Sequence, residues 1–340
     1  MVDIKDDKVV KLIKEIIDYC GGSKDPFAID LTTQMIQTCL KLVAEGHDIW
    51  QIKLINKALK EMRHAYSIFS KYTDVRCVSI FGSARTPEEH PDYRAAKTFS
   101  RSMAKEGWMC ITGAAEGIMH AGMKGAQKES SIGLSIRLPF EDSSNALIKG
   151  DPKLMMFHYF FTRKLMFISH GAAIAAFPGG LGTQDELFEV LTLMQTGKSN
   201  IVPLVLIEGA KGNYWKHWER YVDADLLENG WISKADKNFY HIASSSADAK
   251  RHILKFYSRY HSSRYVRELL VFRLLKELNQ KQIKELNKDF SSLLVKGKII
   301  KSDPLPEETD NLELPRLVFE HNRKHYGLLR AMIDRINDFG

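Results

Sequence analysis

No run in the chain approaches the roughly 18 uninterrupted apolar residues that a bilayer-spanning helix needs, and the opening Met-Val-Asp-Ile-Lys-Asp-Asp-Lys lacks the charged-then-apolar layout of a secretory leader. A cytoplasmic protein without a membrane partner is therefore expected. Cysteine is scarce: Cys20, Cys39, Cys77 and Cys110 lie far apart and form no Cys-x-x-Cys pair, so neither a zinc site nor a disulfide framework is suggested. Buried, reduced thiols and no metal are the expectation. Segregated charge is missing too. The formal net charge is +7 and the pI near 9.0, but basic residues alternate with acidic ones along most of the chain, which argues against a nucleic-acid partner.

The 340 residues, 44% hydrophobic and 27% charged, have the make-up of a globular protein with a sizeable core. Residues 1–75 form a first region. Within it Val9, Val10, Leu12, Ile13, Ile16 and Ile17 fall near helical spacing, and Asp30 and Asp48 are plausible helix N-caps. From residue 76 the pattern changes to short apolar or β-branched runs at 77–81, 108–112, 132–138, 172–177, 201–207 and 240–243. Each leads through a turn into a helical stretch, the signature of βα units and a parallel sheet covered on both faces. The fold class predicted is α/β, a Rossmann-like parallel sheet spanning 76–257, flanked by helical N- and C-terminal extensions at 1–75 and 258–340. In the last of these, 266–278, 280–294 and 316–336 read as helices and 302–313 as a loop.

Ligands of such sheets bind beyond the carboxyl ends of the strands, so the turns there carry the functional information. The first, Phe81-Gly82-Ser83-Ala84-Arg85, offers a flexible glycine and a hydroxyl. In the second, Gly113-Ala114-Ala115-Glu116-Gly117-Ile118-Met119, small residues let main-chain amides gather around an anion at a helix N-terminus. This turn lacks the complete Gly-x-Gly-x-x-Gly fingerprint and is no P-loop, and tight-turn geometry alone would also account for its glycines. The third, Pro178-Gly179-Gly180-Leu181-Gly182-Thr183-Gln184-Asp185-Glu186, carries more. Gly179, Gly180 and Gly182 permit a side-chain-free loop, Thr183 adds a hydroxyl, and the following helix contributes its positive end, which together make a phosphate cradle. Asp185 and Glu186 would favour the helix dipole, yet a carboxylate beside a phosphate is repelled by it, so Glu186 is singled out for another task. Upstream, Arg163 and Lys164 sit in a mostly apolar helical segment, where burying their charge requires an anionic or hydrogen-bonding partner.

The Arg163-Lys164 pair together with Pro178-Gly179-Gly180-x-Gly182-Thr183-x-x-Glu186, and the offset between Arg163 and Glu186, resembles the Lonely guy (LOG) family, whose members are often misnamed lysine decarboxylases. The resemblance covers about residues 76–257. It implies a phosphoribohydrolase that needs no cofactor and cleaves a nucleoside 5′-monophosphate to the free base and ribose 5-phosphate, working as a homodimer or larger assembly. It further implies that Arg163 and Glu186 are catalytic and that Gly179, Gly180, Gly182 and Thr183 hold phosphate, with Gly82, Ser83, Gly113, Gly117, Ile118, Met119 and Lys164 as further substrate contacts. Longer relatives often read Gly-Pro-Gly-Ile-Met-Glu in the second turn, whereas here Ala115, Glu116 and His120 take the first Gly, the Pro and the Glu positions. The alternative reading is a non-catalytic nucleotide or cofactor carrier, similar to molybdenum-cofactor carriers, which would need the glycine loop but not the carboxylate. A decarboxylase would need a Schiff-base lysine for pyridoxal phosphate, and none is marked for that role.

Overall fold

The computed structural model describes residues 6–22, 24–138 and 145–339, and the chain divides into two compact units, Met1–Arg63 and His64–Gly340. The first holds α1 (Asp7–Tyr19), α2 (Pro26–Ala44) and most of α3 (Ile49–Phe69). Carboxylates start all three: Asp6 accepts from the Lys8 amide at 2.8 Å, Asp25 from Phe27 at 3.0 Å and Asp48 from Trp50 at 2.8 Å. Asp30, expected as a cap, lies inside α2, because Pro26 at the helix start places the cap at Asp25. Cys20 and Cys39 are exposed, contrary to the expectation of burial, while Cys77 and Cys110 are buried as expected.

In the second unit β1 (Cys77–Phe81), β2 (Met109–Thr112), β3 (Ser131–Ile136), β4 (Leu154–Phe157), β5 (Ala173–Ala176), β6 (Leu204–Leu206) and β7 (Tyr240–Ile242) pair in the order β4-β3-β2-β1-β5-β6-β7. Every pairing is parallel, and the fold is Rossmann-like. Helices α4 (Pro91–Lys105), α5 (Ile118–Ala126), α6 (Phe160–His170), α7 (Leu181–Gln195) and α8 (Tyr214–Tyr221) lie between successive strands, and α9 (Ser246–Phe256) follows β7. β1 and β5 are buried along their whole length, as the central strands of a doubly covered sheet must be. Phe99 of α4 and Phe177 after β5, both fully buried, meet edge to face at 6.2 Å in one core layer. The one polar side chain in β1, Ser79, is satisfied by donating to the Phe167 carbonyl of α6 at 2.8 Å. β4 escaped the sequence reading because Leu-Met-Met-Phe carries no β-branched residue.

The C-terminal extension is not the helical one expected. β8 (Tyr260–Val266), β9 (Leu269–Leu274), β10 (Ile300–Ser302) and β11 (Arg316–Glu320) form an antiparallel sheet in the order β10-β11-β9-β8, joined by α10 (Gln280–Asp289) and α11 (Tyr326–Asp338). The segment 266–278 mimics a helix because β9 is buried on both faces, so its apolar residues do not alternate. Within 316–336 only the second half is helical. Arg323 and His325, both at left-handed φ (56° and 55°), separate β11 from α11.

Burying Arg273 and Arg316 in this sheet requires countercharge, and Glu308 in the loop before β11 supplies it. Its carboxylate accepts from Arg316 Nε at 2.9 Å and from Arg273 Nη2 at 2.8 Å, while Arg273 also meets Asp310 at 2.9 Å. Among the described residues no helix is long and apolar enough to cross a membrane.

Replacing Glu308 with Ala leaves Arg316 with main-chain acceptors but no countercharge and weakens the hold on Arg273. The expected loss is about 3 kcal/mol of unfolding free energy in a denaturant titration, since an unpaired buried charge is costly. A loss below about 1 kcal/mol, the range of an exposed pair, would show that the guanidinium groups are solvated and the network is dispensable.

Candidate functional site

Strand order sets the site. From β1 the chain steps outward through β2, β3 and β4, then returns to place β5 on the other side of β1. Between these two neighbours the connections diverge, the place where sheets of this kind bind ligands at the carboxyl ends of their strands. The turn after β1 and the turn after β5 therefore face one another, and the Ser83 amide donates to the Pro178 carbonyl at 3.1 Å. The turn after β2 joins them, with the Ile118 amide donating to the Ser83 carbonyl at 3.0 Å. All three glycine-containing turns singled out in the sequence are thus brought together.

Two glycines are demanded by these approaches. A Cβ on Gly117, which sits at φ 65°, would come within 2.3 Å of the Ser83 carbonyl oxygen. One on Gly179 would meet Thr183 Oγ1 at 2.1 Å and the Ser83 amide at 3.0 Å. Neither approach leaves room for a side chain: Gly117 packs against main-chain atoms of Ser83 and Ala84, and Gly179 against the Thr183 side chain and the Ser83 amide. Gly82 presses on the Ile118 side chain and Gly113 on the Met119 thioether, and Gly113 also lies beside the Arg163 guanidinium. Gly180 and Gly182 differ: a Cβ on either would meet nothing within 4 Å. Gly180 begins α7 without a side-chain cap, which leaves the helix's positive end available to an anion. The turn runs from exposed glycines down to buried Thr183 and Glu186.

Arg163 on α6 and Glu186 on α7 converge beneath it. Their closest approach, Nη2 to Oε1, is 3.9 Å, an ion pair too long to be a hydrogen bond. Glu186 is only 6% exposed, and both its Oε2 and Arg163 Nε are buried without a hydrogen-bond partner. Native interiors rarely leave such atoms unmatched, and functional sites are where they do. The apolar setting is explicit: the guanidinium lies 5.1 Å from the ring of Phe160 and 5.7 Å from that of Phe167. Burial pushes the Glu186 carboxyl up to about 7, although the cations of Arg163 and Lys164 pull it back. Burial also lowers the Arg163 pKa, opposed by Glu186.

Lys164, expected to touch substrate, is engaged by two carboxylates of α7, Asp185 at 2.6 Å and Glu189 at 2.8 Å. It ties α6 to α7 next to the pair that these helices carry. His120, at the family's Glu position, is held by Tyr93 Oη at 2.9 Å, with Glu88 and Glu116 at 3.6 and 3.7 Å. Two contributors escaped the sequence reading. Asn145 receives no signal from a motif, yet its amide groups donate to the Ala114 and Ala115 carbonyls of the second turn. Tyr214 opens α8 after β6 and reaches the third turn; its position at the carboxyl end of a strand was the available clue. Among the described residues no three His, Cys, Asp or Glu side chains gather as a metal-binding group.

The raised Glu186 carboxyl has a consequence for stability. A carboxyl whose folded-state pKa exceeds its ordinary value of 4.5 binds a proton that the unfolded chain releases, so the folded state loses stability as pH rises from 4.5 to about 7. Glu186→Gln removes this loss. Its stability relative to wild type is expected to grow by roughly 3 kcal/mol between about pH 4.5 and pH 7.5, measured by urea unfolding. A difference that stays constant with pH would mean that Glu186 titrates as an exposed carboxylate.

Comparison with known proteins falls on this part of the chain. Residues 111–253 match the family model described as "Possible lysine decarboxylase". The cytokinin riboside 5′-monophosphate phosphoribohydrolase of Rhodococcoides fascians is 34% identical over 89 residues, 26% of this chain and 43% of that relative, so the chain spans less than half of the relative's length. Among solved structures, the molybdenum cofactor binding protein of Rippkaea orientalis is 19% identical, covering 52% of this chain and 94% of that one with a TM-score of 0.37. The molybdenum cofactor carrier protein of Chlamydomonas reinhardtii is also 19% identical, covering 53% and 97% with a TM-score of 0.38. The stretch matched by that family model, residues 111–253, holds Arg163, Glu186 and the glycine turn between them.

Proposed function

We propose that the chain hydrolyses the N-glycosidic bond of a nucleoside 5′-monophosphate, giving the free base and ribose 5-phosphate. The observation that carries this reading is the buried Arg163 and Glu186 pair, 3.9 Å apart and incompletely hydrogen-bonded, directly below an uncapped glycine turn at the sheet's switch point. An anion-binding loop alone would serve a carrier. A carboxylate buried next to it at a cost in solvation favours chemistry on the bound ligand.

In this reading the amide-lined start of α7, with Thr183, holds the 5′-phosphate, and the turns after β1 and β2 close the other side. Phosphate binding far from the scissile bond fixes the ribose in place. As the bond from C1′ to the base nitrogen lengthens, its electron pair leaves with the base and the ribose gains oxocarbenium character. The Glu186 carboxylate stabilises that charge and takes a proton from the water whose oxygen bonds to C1′. A carboxyl near 7 is matched to this task, because it both accepts and releases a proton near neutral pH. The departing base takes up one proton, which closes the balance. Arg163 positions the nucleotide and offsets the carboxylate.

The test is a panel of AMP, GMP, CMP, UMP and a cytokinin monophosphate, with released base and ribose 5-phosphate measured. Turnover is expected with at least one. Glu186→Gln and Arg163→Ala are each expected to reduce it about a hundredfold or more while nucleotide binding persists in Glu186→Gln. Full turnover in Glu186→Gln would overturn the assignment. Tight binding with no base released from any nucleotide would favour the carrier reading instead.

A further inference from the structure

The glycine turn has a support that none of its own residues supplies. Tyr214, the first residue of α8, donates its hydroxyl proton to the Gly179 carbonyl at 2.6 Å and accepts from Gln184 Nε2 at 2.7 Å. One oxygen atom thus grips the turn at its entrance and again in the first turn of α7. Between these two points Gly180 and Gly182 have open space where a side chain would be, so no side chain of their own braces the segment. Gln184 Oε1 is buried without a partner, which shows that the amide is oriented for the tyrosine and not for its own full satisfaction.

The tyrosine is itself fixed. Its backbone amide donates to Glu208 Oε2 at 2.8 Å, and its ring stands edge-on to Trp215 at 4.8 Å. Trp215 is fully buried and donates to the Ile207 carbonyl at the end of β6 at 3.0 Å. The chain of contacts therefore runs from the sheet, through α8, to the turn. A loop rich in glycine loses more conformational freedom on ordering than any other, and an anion is bound well only by amides already in place.

We propose that Tyr214 is a positioning residue of the phosphate site, acting through Gly179 and Gln184 to hold the amides of residues 180–183 in their binding arrangement. The proposal rests on the phosphate-cradle reading of this turn. Tyr214 touches neither Arg163 nor Glu186 among the contacts above, so its influence falls on binding and not on the bond-breaking step.

Tyr214→Phe keeps the ring and removes only the oxygen. The expected result is a rise of about tenfold in KM for the nucleotide, the effect of one hydrogen bond's worth of ordering, with kcat changed by less than about threefold. Inhibition by ribose 5-phosphate and by inorganic phosphate should weaken by the same factor. Gln184→Leu should act in the same direction, and the double variant should be no worse than Tyr214→Phe alone, because both substitutions break one device. An unchanged KM and unchanged phosphate inhibition in Tyr214→Phe, or a fall confined to kcat, would overturn the proposal while leaving hydrolysis standing. If the wild type releases no base from the panel, thermal stabilisation by ribose 5-phosphate and inorganic phosphate still decides the matter. A smaller shift in the variant than in wild type supports the clamp; equal shifts, or none in either, overturn it.

Discussion

A parallel sheet entered at its middle strand must reverse its direction of growth once, and every feature of the candidate site depends on where that reversal falls. Here it lies between β1 and β5. Two successive strands of a hairpin could not present their following turns side by side, because they run in opposite directions. Parallel neighbours do, and three turns with little side-chain bulk then pack against one another through main-chain hydrogen bonds. The glycines at 117 and 179 are consequences of this contact as much as of any ligand. Their absence of side chains lets the Ser83 segment come close to both other turns.

The charges beneath the turns belong to two neighbouring helices. Arg163 and Lys164 are adjacent in sequence but serve different ends. The lysine binds carboxylates on the rim of α7, and the arginine is enclosed by aromatic rings with one distant carboxylate for company. A guanidinium keeps its charge under such desolvation, whereas an ammonium there would be pressed to give up its proton. The order Arg then Lys is thus suited to its surroundings, and exchanging the two would place the weaker cation in the drier position.

Much of this was legible in the sequence. Apolar runs ending in glycine turns announced the βα units, and the motif from Pro178 to Glu186 marked its own strand-to-helix junction. What periodicity could not resolve was the region after residue 257, where β9 is apolar on both faces and reads like a helix. The clue that it is not helical was its buried Arg273, but the countercharge lies in a distant loop and only the fold brings Glu308 to it. Tyr214 and Asn145 were hidden for the same reason. Each acts on the turns through hydrogen bonds to main-chain carbonyls, which place no demand on the sequence of the residue they touch.

Burial that lifts the Glu186 carboxyl to about 7 makes the charge beneath the turns sensitive to pH around neutrality. In the proposed reading a protonated carboxyl leaves the Arg163 charge unopposed by Glu186 and favours a phosphate dianion, whereas the ionised carboxyl partly cancels that attraction. In the proposed reaction the ionised form is the one that performs the chemistry. Capture of the ligand and its conversion therefore ask, in that reaction, for opposite states of one carboxyl, and a proton taken up on binding has to leave Glu186 before that group can accept one from water.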